Sequence, residues 1–256
     1  MINRAHPDRL RLLSYNIQTG VDTQHYSQYL THSWKHVLPN RARLQNLNQI
    51  ADLIGQYDIV GLQEVDSGSL RSGFVDQTEY LAHRAGFPHW FKQINRRIGN
   101  IAQHSNGVLS RFKPSDVQEY RLPGLRGRGV IVCQYGGDDG LTVCIMHLAL
   151  SKRARLRQIS FVSQLVKSMP HVVLMGDLNC GCESSEMKYL MDNINLQEPS
   201  CEKSTFPSWR PMRKIDHILV SESLHIENAR VLDYPFSDHL PIGIDIIIPD
   251  NLNLAA

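Results

Sequence analysis

The chain has 256 residues, 42% of them hydrophobic and 20% charged, which excludes a disordered chain and gives enough apolar surface for a substantial core. Its 27 basic and 25 acidic residues leave a net charge of +2, which excludes an overall electrostatic attraction to nucleic acid or membranes. A local basic patch is still compatible with this balance.

The first half of the chain alternates apolar strands with amphipathic helices. In chain order the predicted elements are strand 10–17, helix 41–55, strand 57–63, helix 77–86 and strand 106–111. Gly86 stands where a helix of this kind usually ends. The polar stretches 21–40 and 66–76 are predicted to be loops that determine specificity.

The second half contains most of the long apolar runs. Its predicted elements are strands 129–135 and 141–148, helix 151–168, strand 171–176, helix 183–192, and strands 215–221, 227–232 and 241–248. The turn residues 136–140 predict a hairpin between the first two of these strands. Without repeats or a change in composition, we expect one α/β domain over 1–256, with two packed sheets flanked by helices.

Polar residues follow or open these apolar runs at positions that core packing does not explain. They are Asn16, Glu64, His147, Asp177, Asn179, Asp216, Asp238 and His239. Each alone has a structural explanation, such as a turn cap, a surface acid or a buried histidine with a partner. Because strand ends are where loops converge into ligand sites, their joint occurrence indicates a functional site.

Phosphoester cleavage explains why these residue types would be combined. The reaction requires neutralised phosphoryl charge, an activated water and a stabilised leaving oxygen. Carboxylates suit Mg²⁺, a histidine beside a carboxylate acts as an oriented acid or base, and asparagine amides donate to phosphate oxygens.

Seven segments also match a known family in order and spacing. They are SYNIQTG, LQEVD, NGVLSRF, HLALS, LMGDLNC, KIDHILVS and SDHLPI, spanning residues 14 to 242. With them the chain resembles the endonuclease/exonuclease/phosphatase superfamily, which includes deoxyribonuclease I, and especially its compact bacterial branch. The resemblance implies a four-layer α/β sandwich with its site at one edge of the paired sheets.

The resemblance also implies a metal side of the site. Glu64 resembles the principal Mg²⁺ ligand, Asn16 lies beside it on metal or phosphate, and Asp238 resembles a second carboxylate on the metal side. We expect Mg²⁺ as the cofactor, with Mn²⁺ as a substitute.

The remaining matches imply catalytic roles. Asp177 resembles the residue that orients or activates water, and Asn179 would donate to phosphate oxygens. His239 resembles the catalytic histidine, oriented by Asp216, and His147 would stabilise the pentavalent phosphate or protonate the leaving group. The general base is either Asp177 or His239.

Other residues bear on the substrate. Asn106 would support His147 or contact phosphate, and Arg128, in a stretch with Arg121 and Arg126, is a candidate to bind phosphate bidentately. His217 stands where the abasic-site enzymes of this superfamily carry an aromatic residue, and a second histidine there would alter the local pKa balance.

Three functional classes fit these features. The first is a phosphodiesterase or phosphomonoesterase acting on a small or lipid-derived phosphate, favoured by the low net charge. The second is a nuclease acting on DNA or RNA, supported by local basic groups: the arginine stretch 121–128, the pair Arg96 and Arg97, and the basic face of helix 151–168. Such a helix face is usually just solvated. The third is a binding protein on an inactive version of the fold, disfavoured because no central carboxylate is missing.

The cysteines and the N-terminal residues bear on location. The five cysteines are an odd number, and the Cys180–Gly–Cys182 spacing is not that of a zinc pair, so we expect reduced thiols. Residues 1–10 lack the apolar core of a signal peptide, and no segment approaches the ~20 apolar residues of a membrane span. We therefore expect a soluble cytoplasmic protein; the sequence does not indicate its oligomeric state.

Overall fold

A computed structural model describes residues 9–20, 41–124, 126–199 and 203–249, together with 252 and 254. The predicted loop 21–40 and Cys201 lie outside these residues. Within them, no helix is both long and apolar enough to span a membrane. The other four cysteines carry free thiols.

The elements follow the predicted order closely. In chain order the strands are β1 (Arg9–Asn16), β2 (Ile59–Asp66), β3 (His89–Ile98), β4 (Ala102–Ser110), β5 (Asp116–Arg121), β6 (Gly129–Tyr135), β7 (Leu141–His147), β8 (His171–Asp177), β9 (Leu196–Gln197), β10 (Asp216–Ser221), β11 (His225–Val231) and β12 (Ile242–Ile247). The α-helices are α1 (Arg41–Ile54), α2 (Gln77–Ala85), α3 (Lys152–Val166) and α4 (Ser185–Asn193). Gly86 ends α2 at φ 72°, a left-handed conformation that glycine adopts without strain, as predicted.

The described strands form two six-stranded mixed sheets. The first has the order β11-β12-β1-β2-β4-β3 and the second the order β5-β6-β7-β8-β10-β9. One buried apolar cluster lies between the sheets, a second joins the first sheet to α1 and α2, and a third joins the second sheet to α3 and α4. The predicted four-layer α/β sandwich is thus confirmed.

The sequence missed strands at the sheet edges. β3 and β5 are edge strands with many exposed and charged residues, so they lack the apolar run by which the central strands were recognised. The two-residue β9 is also an edge strand. In addition, β4 begins at Ala102, four residues before the predicted start of that strand at 106.

The strand predicted over 57–63 runs on to Asp66, so Glu64 does not follow the strand but lies within it. The pairing of β2 with β4 is interrupted between Leu62 and Val65, and Glu64 has a φ of 57°. An extra residue of this kind is a β-bulge, which bends the strand and turns a side chain out of the regular alternation. The bulge therefore explains how Glu64 projects from a strand whose neighbours are core residues.

Asp66 fixes the start of the predicted loop 66–76 to the body of the protein. Its fully buried carboxylate accepts six hydrogen bonds of 2.5–3.2 Å. The donors are the backbone amides of Gly68, Ser69 and Gln103, the hydroxyls of Ser69 and Ser72, and Nε of Arg71. That this loop contacts the substrate stays a prediction.

Replacing Asp66 by alanine should lower the free energy of unfolding by about 3–5 kcal/mol, because Arg71 would keep a buried charge without its partner. Asp52→Ala is the matched control. Asp52 faces Arg84 at 3.5 Å with both side chains at least half exposed, so its loss should cost less than about 1 kcal/mol. Urea unfolding of both variants measures the difference, and equal midpoints would contradict this account of the loop.

Candidate active site

The sheet topology brings the predicted site residues to one edge. β1 and β2 are parallel neighbours, as are β7 and β8. Parallel strands end at the same edge of a sheet, so the carboxyl ends of each pair meet. A hydrogen bond of 3.2 Å from Asn16 Nδ2 to Asp177 Oδ2, both buried, joins the two sheets at this edge.

Asp177 lies at the centre of the site because of its position in the second sheet. It pairs with His147 on β7 and with Asp216 on β10, and directly paired residues project from the same face of a sheet. Asp177 Oδ2 lies 3.4 Å from His147 Nε2 and 3.8 Å from His239 Nε2. Its Oδ1 accepts a 3.0 Å bond from the backbone amide of Asn179.

The residue before Asp177 must be glycine. A Cβ at Gly176 would lie 1.8 Å from the Met146 carbonyl oxygen, far inside van der Waals contact, and φ is 150° there. The close approach of β7 and β8 at this point holds His147 against Asp177. The glycine of the GDLN motif is therefore required by packing next to the site.

His239 is held between two carboxylates. Its Nδ1 lies 2.8 Å from Asp216 Oδ2, and its Nε2 faces Asp177. Asp216 Oδ2 in turn accepts a 2.5 Å bond from Thr205 Oγ1. This chain of contacts fixes the orientation of the imidazole, the property expected of a histidine that transfers protons.

The segment around Thr205 was missed as a functional element. The ring of Phe206 packs against His239 with centroids 4.9 Å apart, and the Ser208 amide donates to the Asp238 carbonyl at 2.8 Å. The sequence gave no indication that Thr205, Phe206 and Ser208 contact residues eleven or more positions away. We regard them as positioning residues for Asp216, His239 and Asp238.

The predicted metal side is composed of oxygen donors. Asp238 Oδ1 accepts from the Ser237 hydroxyl at 3.1 Å, and Asn16 Oδ1 accepts from the Gln18 amide at 3.2 Å. Burial and the charge of Asp238 raise the pKa of Glu64, against the opposing effects of His239, Asn16 and Arg128. A divalent cation beside Glu64 and Asp238 would relieve this repulsion, so the residues present fit Mg²⁺.

Three other ligand atoms also lie close enough to hold an ion. Asp177, Asp216 and His239 each offer one within 4.8 Å of the others. Two observations favour the Glu64 side instead. His239 Nδ1 already contacts Asp216, and Mg²⁺ prefers oxygen ligands over imidazole nitrogen.

The site separates the proton affinities of its acids and bases. Burial and the charges of Asp216 and Glu64 raise the pKa of Asp177 to about 7, although His239 opposes the shift. Burial lowers the pKa of His239, but the charges of Asp216, Asp177 and Asp238 and its bond to Asp216 outweigh that effect and raise it well above normal. Burial, with Arg128, His239 and His104 nearby, lowers the pKa of His147 well below normal. Neighbouring groups whose pKa values are shifted in opposite directions are typical of acid–base sites.

Two of the predicted phosphate-binding residues donate hydrogen bonds to the same backbone carbonyl. The Leu148 carbonyl accepts from Arg128 Nε at 2.9 Å and from Asn179 Nδ2 at 3.0 Å. Asn106 Nδ2 donates to the Gly129 carbonyl at 3.0 Å, while its buried Oδ1 has no partner among the described residues. Asn106 therefore makes no hydrogen bond to His147, the first of the two roles considered for it.

His217 does not join the catalytic cluster, contrary to the concern raised by its sequence position. Its Nδ1 lies 2.7 Å from Glu198 Oε1 and its Nε2 lies 2.8 Å from the Cys180 carbonyl oxygen. Lys214 Nζ reaches the same Glu198 oxygen at 2.7 Å. The histidine thus takes part in a separate hydrogen-bonded group with Glu198 and the Cys180 carbonyl.

Glu198 should stabilise the protein in a pH-dependent way. Burial alone would raise its pKa, but His217 and Lys214 lower it to about 2. A depressed carboxyl pKa stabilises the fold above the unfolded value near 4.3, and this contribution disappears as the pH falls toward 2. Glu198→Gln should cost about 1–2 kcal/mol at pH 7, allowing for partial exposure, and much less at pH 2.5. The urea midpoints of wild type and variant at both pH values check this. A loss of stability in the variant that is the same at both pH values would contradict it.

The fold and the edge site together define the class: an α/β sandwich of two six-stranded sheets with buried acids and histidines gathered at one edge. A family model described as Endonuclease/Exonuclease/phosphatase family matches residues 13–239, so the chain belongs to that family, as the sequence motifs predicted. No curated protein sequence matches the chain.

Solved structures of the same fold share little sequence with this chain. An endonuclease/exonuclease/phosphatase from Beutenbergia cavernae is 19% identical at a TM-score of 0.72, covering 94% of this chain and 72% of its own. A mannosyl-6-phosphatase from Bacteroides thetaiotaomicron is 18% identical at a TM-score of 0.69, and the match covers 93% of this chain and 100% of that protein. The human Nocturnin catalytic domain, with bound sulfate, is 18% identical at a TM-score of 0.66, and the match covers 94% of this chain and 95% of that domain.

Proposed function

We propose that this protein is a Mg²⁺-dependent phosphoesterase that hydrolyses a small or lipid-derived phosphate ester by in-line attack of water. The observation that carries the proposal is the arrangement around Asp177. A carboxylate with a pKa of about 7 lies against His147 and the oriented His239, across the sheet interface from Asn16. A site composed only for structural stability would not be expected to bury so many ionisable groups together.

Glu64, Asp238 and Asn16 would hold the metal, with Mn²⁺ as a substitute. Bound Mg²⁺ supplies charge neutralisation on the phosphoryl oxygens. The unpartnered Asn106 Oδ1 lies in the same buried region and would accept from a water or a protonated phosphate oxygen.

We assign proton transfer to Asp177, at the end of β8 in the second sheet, and to His239, in the segment before β12 of the first sheet. Asp177 and His239 form a coupled pair that takes the proton of the attacking water, and Asp216 holds the imidazole of His239 in position. His147, kept neutral at pH 7 by its lowered pKa, would donate a hydrogen bond to the phosphoryl or leaving oxygen. Asn179 and Arg128 would contact the remaining phosphate oxygens.

The substrate class is supported by charge and by one relative. The net charge of +2 provides no broad attraction to nucleic acid. The mannosyl-6-phosphatase of the same fold acts, by its name, on a phosphorylated sugar. We place the protein in the cytoplasm, consistent with its free thiols.

Hydrolysis of bis(p-nitrophenyl) phosphate and p-nitrophenyl phosphate tests the activity. Turnover should require Mg²⁺ or Mn²⁺, stop on addition of EDTA and return when the metal is restored. A panel of sugar phosphates, sphingomyelin, inositol phosphates, nucleotides and oligonucleotides then identifies the substrate. Failure to hydrolyse either nitrophenyl ester with both metals would contradict the proposal.

A nuclease is the second candidate, supported by exposed arginines on the β3–β4 hairpin and the β5–β6 loop. The basic helix gives it less support than its sequence suggests. Arg155 Nη2 pairs with Glu186 at 2.7 Å, and its Nη1 donates to the Leu150 carbonyl at 2.5 Å. Only Lys152, Arg153 and Arg157 are exposed on this part of α3. Metal-dependent cleavage of oligonucleotides in preference to small phosphates would favour the nuclease.

A further inference from the structure

Beside the catalytic cluster lies an open cleft of about 880 Å³, which we call the arginine cleft. Arg96 and Arg97 line it from the end of β3, and Arg121, Arg126 and Arg128 line it from β5 and the β5–β6 loop. Its volume falls in the range of small-molecule sites in proteins.

Within the part of the chain that the structure describes, no carboxylate compensates the charge of the cleft. No aspartate or glutamate is among its described lining residues, and Arg96, Arg97, Arg121 and Arg126 form no salt bridge with any described residue. Some other arginines are paired with carboxylates, as Arg9 is with Asp245 at 2.5 Å and Arg155 is with Glu186. Like charges gathered in a concave surface repel one another unless an anion lies between them, so the cleft fits an anionic ligand.

Arg128 connects the cleft to the catalytic cluster. It lines the cleft, and its Nε donates to the same Leu148 carbonyl that anchors Asn179. The negative charges of Glu64 and Asp177, in the catalytic cluster, and the positive charge of Arg96, in the cleft, all act on its guanidinium. The two sites are therefore contiguous.

We propose that the arginine cleft binds a second phosphate group of the substrate, a non-reacting phosphomonoester dianion, while the scissile phosphate lies at Asp177. This inference rests on the proposed function and narrows its substrate class to molecules with two phosphates. Guanidinium groups recognise phosphate dianions bidentately, which explains the use of arginine at the four exposed positions, Arg96, Arg97, Arg121 and Arg126. None of the described lining residues is aromatic, so the cleft lacks the stacking surfaces typical of single-stranded nucleic acid sites.

Binding of α,ω-alkanediol bisphosphates with two to six carbons, compared with the matching monophosphates, tests the proposal by calorimetry with and without Mg²⁺. The bisphosphate of best length should bind at least tenfold more tightly than its monophosphate. In Arg96→Gln/Arg121→Gln this ratio should fall to near one. The double variant Lys113→Gln/Lys167→Gln, which removes equal charge from exposed positions outside the cleft, should keep the wild-type ratio and the wild-type turnover of bis(p-nitrophenyl) phosphate.

The outcomes separate this inference from the proposed function. Hydrolysis of the nitrophenyl esters with equal binding of mono- and bisphosphates would overturn the cleft assignment alone. Arginine-dependent binding of bisphosphate without any hydrolysis would support the cleft and overturn the catalytic proposal. If the arginine variant loses more affinity for a single-stranded oligonucleotide than for the bisphosphate, the assignment of the cleft to a second phosphate is also overturned. Phosphatidylglycerol phosphate in phosphatidylcholine vesicles, compared with phosphatidic acid, which carries one phosphate, distinguishes a lipid-borne second phosphate from a soluble one. Arginine-dependent preference for the two-phosphate ligand of either kind supports the proposal.

Discussion

His239→Asn is expected to lower kcat on bis(p-nitrophenyl) phosphate by about 10³-fold, within the roughly 10²–10⁴-fold typical of a general acid–base residue. The imidazole bridges Asp216 at 2.8 Å and Asp177 at 3.8 Å, and no amide side chain can take up or release a proton between them. KM should change little, because the lost interaction acts mainly in the transition state. Steady-state kinetics at saturating Mg²⁺ measure both constants.

Two measurements make the His239 result interpretable. His83→Asn alters an exposed histidine on α2 and should leave both constants at wild-type values. Thermal unfolding of His239→Asn shows whether the fold is retained, and added imidazole should recover part of the turnover. A kcat within tenfold of wild type in a folded variant would show that His239 is not the proton-transfer residue.

The central strands could be predicted because both of their faces are buried. All seven residues of β7 and six of the seven in β8 are buried, so their apolar runs are unambiguous. β5 gives no such signal: none of its six residues is buried, and as the first strand of its sheet it pairs on one side only. Hydrophobic patterning reports burial, and edge strands are missed to the extent that they are exposed.

The candidate site shows a different limit. The motifs contain residues that the fold brings to one edge, but the contacts that assemble this edge join distant parts of the chain. Asn16 and Asp177 are 161 residues apart, and no spacing rule predicts their 3.2 Å bond. The bulge at Glu64 was not predicted either, because the polar residues Gln63 and Glu64 resemble the end of a strand in the sequence. Residue type indicated the chemistry, whereas the backbone geometry that aims each side chain came only from the fold.

Glu64→Gln should lower kcat/KM by about 10³-fold or more at low Mg²⁺, corresponding to several kcal/mol of lost transition-state stabilisation. The substitution keeps the shape of the side chain and removes the charge that, with Asp238, would hold the cation. Calorimetry should show weaker Mg²⁺ and Mn²⁺ binding, and Mn²⁺ at high concentration should restore part of the turnover. Glu79→Gln, which removes an exposed charge from α2, is the matched control and should behave as wild type.

Metal-free stability distinguishes loss of a ligand from loss of the fold. Because burial and Asp238 raise the pKa of Glu64, its ionised form is costly without a cation, and chelated Glu64→Gln should unfold at a temperature no lower than chelated wild type. Added Mg²⁺ should then stabilise the wild-type protein and leave the variant nearly unchanged. If Mg²⁺ stabilises both equally, the ion binds elsewhere, and the Asp177, Asp216 and His239 cluster becomes the metal site in place of Glu64.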